Sequence, residues 1–344
     1  MKKIKELLKG LTDIVAVSGK EKDAHTEVLA LCEGVFDETY TDKVGNLVMI
    51  KRSSKKNAPR LMLDAHLDEI GFCVTKILDG GFLKVSALGG INTRILPSSE
   101  VVICGKEKIR GVFSSVPPHL SRGKNEKGTP ELKDLLVDTG YTKQELEKIV
   151  SIGDRVACRG ELYELSNSYV VSKSLDNRSC ACALIDMASR AERDKLEYDL
   201  YVVLSAHEET GNMLARVAAY DIKPDIAIIT DVNFAREHGL KSKETIECEK
   251  GPSVDISSST DRDISRRILE IASLCKLDCQ TVVEVSSTGT NNERIMLSGE
   301  GVKTAVMSIP LKFMHSYSEI VNLKDIATLS DILLAFAYAP KEEL

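Results

Sequence analysis

Four apolar runs in this 344-residue chain break off into imidazole or carboxylate side chains, and that juxtaposition narrows the folds open to it. Arg60-Leu-Met-Leu-Asp-Ala runs into His66-Leu-Asp68-Glu69, and Leu200 to Ser205 runs into Ala206-His207-Glu208-Glu209. Ile226-Ala-Ile-Ile-Thr is followed by Asp231, and the run from Val302 to Ser308 leads on to Phe313-Met-His315. Each run reads as a buried strand. A carboxylate buried at such a strand end is costly unless a cation or a proton compensates it. In open α/β sheets ligands gather beyond the carboxyl ends of strands, so these four ends are placed to converge on one crevice.

The rest of the chain predicts an α/β fold with an interruption. Ile4, Leu7, Leu8 and Leu11 recur at helical spacing, Ser18-Gly19 breaks the run, and His25 to Val35 resumes it. A strand follows from Lys43 to Ile50. From about Phe72 to about Tyr169 the period changes to short segments, such as Phe82 to Ser86, Glu100 to Cys104, Gly111 to Ser115 and Asp154 to Arg159, separated by Gly, Pro and Ser. One helix interrupts them, where Thr142-Lys-Gln-Glu145 fits a capping box. Ser121 to Thr129 has almost no apolar content and is expected to be a mobile loop. After about Ser172 the alternation returns, with helices expected at Arg178 to Ala191, Asn212 to Tyr220, Asp261 to Cys275 and Leu323 to Tyr338. Strands are expected at Leu200 to Ser205, Asp225 to Thr230, Gln280 to Val285 and Val302 to Ser308. This organisation predicts a discontinuous α/β domain from residues 1–70 and 170–344, with a β-rich insert over residues 71–169.

Composition removes several classes of partner. With Lys plus Arg at 46 and Asp plus Glu at 52, the net charge is −6, and a basic surface for nucleic acid is excluded. No apolar stretch approaches the roughly 18 residues needed to cross a bilayer, so no membrane partner is expected. The start, MKKIKELLKG, interrupts its leucines with Lys5, Glu6 and Lys9 and lacks a signal-peptide core. Nine cysteines without a CxxC pair suggest neither a disulfide framework nor a cysteine zinc knuckle, and Cys180 and Cys182 are expected as buried thiols. A cytoplasmic location follows.

Taken singly, the charged residues have ordinary explanations. Asp176, in Ser174-Leu-Asp176-Asn-Arg178, is placed as a helix N-cap, and Glu208-Glu209 as a solvated pair. Together, two histidines and several carboxylates make the ligand set expected of one or two zinc or cobalt ions. The set points to metal-assisted hydrolysis.

The order of the motifs H-x-D-E, D-N-R, E-E-x-G, D and H-S-x-x-E resembles the di-metal aminopeptidases of metallopeptidase family 42, which are glutamyl- and leucyl-aminopeptidase-like. Lys43-Val-Gly-Asn46, Gly89-Gly90, Pro117-Pro118-His119 and Gly289-Thr290 stand where that family has similar motifs, so the resemblance spans nearly the whole chain. It implies a mixed-sheet catalytic domain of the zinc-exopeptidase kind and an inserted PDZ-like or barrel domain that serves oligomerisation. It implies two divalent ions per subunit, zinc, cobalt or manganese. His66 and Asp231 would hold one, Glu209 and His315 the other, and Asp176 would bridge them. Asp68 would orient the His66 imidazole and fix its tautomer, and Glu208 would be the general base. It further implies dimers assembling into a dodecameric, hollow tetrahedral shell. The chain departs from the commoner pattern at Asn177, Ser179-Cys180, His207 and Asn291-Asn292, none of which is a proposed ligand.

The expected function is therefore release of N-terminal residues from short peptides by a metal-activated water. Two alternatives use the same residues: a metal-dependent deacylase acting on N-acyl amino acids, and a non-catalytic assembly protein stabilised by its metal. A carbohydrate-cleaving reading is disfavoured, since the chain has no Trp and only 5% aromatic residues for stacking on sugars.

Overall fold

The computed structural model describes residues 1–116, 129–211, 213–240, 245–285 and 287–340. The Pro117-Pro118-His119 motif, residues 121–128 of the expected loop and Asn212 lie outside the described residues. Helices α1 (Lys2–Asp13) and α2 (His25–Leu31) lead into strands β1 (Glu38–Thr41), β2 (Leu47–Lys51) and β3 (Arg60–His66). Next come β4 (Gly71–Ile77), β5 (Phe82–Leu88), β6 (Glu100–Cys104), β7 (Lys108–Phe113), β8 (Val137–Asp138), α3 (Lys143–Ile149) and β9 (Arg155–Cys158). The chain continues through β10 (Tyr163–Glu164), β11 (Tyr169–Ser172), α4 (Leu175–Arg190), β12 (Asp199–Ser205), α5 (Ala215–Ile222) and β13 (Ile226–Phe234). It closes with β14 (Ser253–Ser257), α6 (Arg262–Leu274), β15 (Gln280–Glu284), α7 (Asn292–Ile295), β16 (Lys303–Leu311), β17 (Glu319–Asn322) and α8 (Leu323–Ala337).

These elements build a mixed eight-stranded sheet in the order β1-β2-β12-β3-β13-β16-β14-β15. Its centre, β12-β3-β13-β16, is parallel throughout. Parallel strands are covered on both faces, which explains why the central strands read as unbroken apolar runs. Helices α1, α4, α6 and α8 bury one face through residues such as Leu8, Leu184, Ile268 and Leu329. The other face packs Val48, Met62 and Val203 against Ala215, Ala218 and Ile222 of α5 and Ile295 of α7. The four parallel strands that the sequence marks are thus neighbours, and their carboxyl ends open on one edge.

Between β3 and β10 the chain forms a closed barrel in the order β4-β5-β8-β7-β6-β9. The β4–β9 pairing, with Phe72 opposite Val156, completes the circle. The barrel has an apolar centre of its own, in which Phe72 meets Phe113 edge to face at 5.0 Å and 63°. Helix α3 begins with the expected capping box, Thr142 accepting the Glu145 amide while Glu145 accepts the Thr142 amide. The fold class expected from the sequence, an α/β mixed sheet carrying an inserted barrel, is the one observed.

Boundaries shifted and some elements had no forecast. Helix α5 starts at Ala215 and not at residue 212, and β13 runs on to Phe234, past Thr230. Strand β14 was not expected because its buried Ser253 and Asp255 break the apolar pattern. Its identity comes from pairing, antiparallel to β16 and parallel to β15, which a one-dimensional reading does not contain.

Phe72 is fully buried in the barrel and tests that centre. Phe72→Ala is expected to lower unfolding free energy by about 3–5 kcal/mol, read from urea denaturation followed by circular dichroism. A loss below about 1 kcal/mol would place Phe72 outside a packed core.

Candidate metal centre

Each of the marked residues reaches the open edge by a different local route. His66 is the last residue of β3, and Glu208 and Glu209 sit in the turn after β12. Asp231 lies within β13, beyond the last β13 residue paired to β3 but still beside Ser308 of β16, and it lines the crevice. Asp176 opens α4, where the peptide to Asn177 is cis. His315 occupies the turn between β16 and β17.

The side chains gather into two groups that share one carboxylate. His66, Asp176 and Asp231 offer ligand atoms within 4.8 Å of one another, and so do Asp176, Glu209 and His315. Asp176 divides its two oxygens between them: Oδ1 is 3.0 Å from His66 Nε2 and Oδ2 is 3.5 Å from His315 Nε2. His315 Nε2 also lies 3.4 Å from Glu209 Oε2, and His66 Nε2 lies 3.9 Å from Asp231 Oδ1. Two ligands of a tetrahedral ion with bonds of about 2.1 Å are roughly 3.4 Å apart, so the donor set and its spacing fit a divalent cation in each group. Glu208 belongs to neither group, and its Oε2 is 3.9 Å from His66 Nε2.

The electrostatics describe a site short of positive charge. Burial pushes the carboxyls of Glu209, Asp231 and Glu319 well above the usual range, and other carboxylates nearby add to the effect. Glu208 is pushed up to about 7, chiefly by burial, with Asp176, Asp68 and Asp64 adding to it and His66 opposing it. Burial acts on Asp176 in the same direction, but hydrogen bonds from His315 and His66 outweigh it and hold this carboxyl well below the usual range. In His66 burial favours the neutral ring, yet its contacts with Asp176 and Asp68 keep the proton on. Cations held by the two groups would favour the ionised carboxylates and the neutral imidazoles.

A surrounding layer of hydrogen bonds holds this arrangement. The His66 Nδ1 proton goes to the backbone carbonyl of Asp68 at 3.0 Å, whereas the Asp68 carboxylate is 3.6 Å away. The carbonyl therefore makes the shorter contact that fixes the tautomer. The carboxylate instead accepts the amides of Glu208 and Glu209 at 3.0 and 3.1 Å and the hydroxyl of Ser18, clamping the turn that carries both glutamates. Glu319 accepts the amides of Asp176 and His315, at 3.1 and 2.9 Å, and so ties the shared carboxylate to the distal imidazole. Glu69 is buried against Lys173 at 2.7 Å and accepts the Ala16 amide.

The sequence reading assigned no role to Ser18, Glu21, Lys173 or Glu319. Glu319 was within reach, since it closes the H-S-x-x-E motif. Glu21 accepts the amides of Gly19 and His207, a contact across 186 positions in the second case. His207 is accordingly in neither ligand group, as are His25, which meets Thr41 Oγ1 at 2.8 Å, and the exposed His238. Gly89 and Gly90, from the loop after β5, lie against the second group. A Cβ at Gly90 would sit 2.8 Å from His315 Nδ1, and one at Gly89, where φ is +88, would sit 3.3 Å from Glu209 Oε2.

Comparison with known proteins agrees with this geometry. The family model described as M42 glutamyl aminopeptidase matches residues 45–332. The chain is 32% identical to the lysyl aminopeptidase of Pyrococcus furiosus over 98% of its own length and 97% of the relative's. An aminopeptidase from the archaeon Desulfurococcus kamchatkensis superposes with a TM-score of 0.91 at 30% identity, covering 99% of this chain and 96% of that one. The Pyrococcus horikoshii TET1 peptidase, described as assembling into a tetrahedron or a large octahedral shell, superposes with a TM-score of 0.85 at 28% identity, covering 97% and 99%. With a match across most of its length and its crevice residues gathered at one sheet edge, the chain belongs to the M42 peptidase family and is a hydrolase of peptide bonds.

Proposed function

We propose that this chain is a di-metal aminopeptidase that removes single residues from the N-termini of short peptides. The observation that carries the reading is the division of Asp176 between two ligand groups, with Glu208 close by but in neither. His66 and Asp231 would hold one ion, Glu209 and His315 the other, and Asp176 would bridge them. Zinc, cobalt and manganese all suit this mixture of imidazole and carboxylate. The ions supply Lewis acidity, lowering the pKa of an attacking water and polarising the scissile carbonyl.

The chain's own residues do the rest. Glu208 takes the proton of the attacking water on its carboxylate and returns it to the leaving amine. Asp68 positions that carboxylate by holding the Glu208 and Glu209 amides. The acidic surroundings bind the substrate's free α-ammonium, which is what makes the enzyme an exopeptidase. A metal-stabilised assembly protein has no use for a carboxylate outside both ligand groups, and this favours catalysis over that alternative.

The same reading assigns residues 71–169 to an inserted domain, supported by the separate apolar centre of the barrel. Through it dimers would assemble into a dodecameric shell that admits only short peptides, as the tetrahedral TET1 relative suggests. Among the described residues no helix is long and apolar enough to cross a membrane, and the nine cysteines are free thiols. Free thiols support a reducing, cytoplasmic setting.

Glu208→Gln is expected to lower kcat by roughly 10²- to 10⁴-fold while metal content and sedimentation as a large assembly persist. Activity within about threefold of the parent would assign the base elsewhere. A free dipeptide and its N-acetylated form separate the aminopeptidase from the deacylase: only the free amine should be cleaved, and preferential cleavage of the blocked peptide reverses the assignment. In Gly90→Ala the added methyl presses on His315, and one of the two ions should bind about ten- to a hundredfold more weakly. Metal analysis after dialysis should then show a loss confined to one ion per chain; unchanged retention of both would refute the contact.

A further inference from the structure

The cavity that contains both ligand groups, about 900 Å³, does not end at them. It continues along the sheet to Asp255 on β14 and Glu284 on β15. The register shows how the two ends connect. Asp231 lies beside Ser308 of β16, and Ser308 lies beside Ser253 of β14. Ser308 Oγ donates to Asp255 Oδ2 at 2.6 Å and Ser253 Oγ to Asp255 Oδ1 at 2.7 Å, so two hydroxyls hold the carboxylate in place. Two strand spacings of about 4.8 Å separate Asp231 from Ser253, and Asp255 lies two residues further along β14, opposite Val306, so the two aspartate backbones are roughly 12 Å apart. An N-terminal residue whose carbonyl is at the ligand groups has its Cα part-way along that span, and a four-carbon stem with a cationic head extends about 6 Å beyond the Cα toward the far end.

The charge at this far end is uncompensated. Asp255 is 1% exposed, and among the described residues no lysine or arginine lines the cavity. Burial pushes the Asp255 carboxyl up to about 6 against the help of Ser308 and Ser253, and the neighbouring Glu284 adds to the rise. A cationic head beside it would favour its ionised form. An apolar side chain placed here would bury that charge further at a cost, and an acidic one would add a third negative charge. A lysine or arginine side chain is the complement that both carboxylates lack.

We propose that Asp255 and Glu284 form the pocket for the first side chain of the peptide and select a lysine or arginine there. The inference rests on the aminopeptidase reading and names its substrate class. The names of relatives do not decide it, since both lysyl and glutamyl occur among them.

The test is kcat/KM of the metal-loaded enzyme on lysyl-, leucyl- and glutamyl-anilides. The lysyl substrate should exceed the leucyl one at least tenfold in the parent, and that ratio should fall at least tenfold in Glu284→Gln and in Asp255→Asn. Glu284→Lys should move preference toward the glutamyl anilide. Thermal melts check each variant, and should Asp255→Asn fail to fold, the two Glu284 variants carry the test. Hydrolysis of the leucyl or glutamyl anilide in preference to the lysyl one, or a ratio unmoved by Glu284→Gln and Glu284→Lys, overturns the pocket and leaves the aminopeptidase reading standing. Hydrolysis of none of the three overturns the aminopeptidase reading itself, and the pocket with it.

Discussion

The dominant constraint on this molecule is the accumulation of buried negative charge at one edge of its sheet. Asp68, Asp176, Asp231 and Glu319 are buried there, with Glu208 and Glu209 beside them, and among the described residues two imidazoles, His66 and His315, lie in their midst. Isolated ionised carboxylates do not survive such burial, because the solvation they lose is worth far more than a single hydrogen bond returns. Protons or cations must make up the difference. The fold makes the problem acute, since four parallel strands bring their ends together, and it also supplies the solution, because the same convergence places one carboxylate where two cations can share it.

The hydrogen bonds around the centre are best understood as the framework that keeps those charges apart until they are compensated. Asp68 gives its carboxylate to two amides and a hydroxyl and keeps it 3.6 Å from the imidazole it flanks, so its charge is shared between the glutamate turn and His66. Glu319 does the same for the amides of Asp176 and His315. The framework extends into the barrel. Arg155 of β9 donates to the Ser18 carbonyl at 2.8 Å, and the Ser18 hydroxyl in turn holds Asp68. On the opposite side, the Gly89-Gly90 loop from β5 lies against Glu209 and His315. The insert therefore touches the centre from two directions, and a displacement of the barrel would be felt by the glutamate turn and by the distal imidazole.

What could be read from the sequence follows from the range of the interactions involved. Helix periods, the capping box at Thr142 and the apolar run of β3 are local, and they appear where the pattern puts them. The ligand candidates could be found because each follows an apolar run directly, so charge and burial conflict within a few residues. Glu21 and Lys173 carry no such conflict. Their partners, His207 and Glu69, are 186 and 104 positions away, and only the folded chain brings them together. Strand β14 was hidden for a related reason: Ser253 and Asp255 are buried as a hydrogen-bonded set with Ser308, and a polar triplet has no hydrophobic period to detect. The role the resemblance implies for Asp68, orienting the His66 ring, sets its carboxylate 3.6 Å from Nδ1, beside the carbonyl contact at 3.0 Å that a sequence motif cannot show.

The two ends of the crevice differ in how their charge can be neutralised, and this difference orders the chemistry. Around Asp176 the carboxylates crowd two imidazoles at separations of 3.0 to 3.9 Å, which suits small ions and leaves no room for a side chain. At Asp255 one buried carboxylate is fixed by two serines and borders the cavity, where a compact ion would find few further ligands but an extended cation could seat its head. A peptide with a free amine and a cationic first residue brings two positive charges to one continuous acidic surface. Its backbone then has a preferred direction along the sheet edge, with the scissile carbonyl held between them, and orientation of that kind is what converts binding into rate.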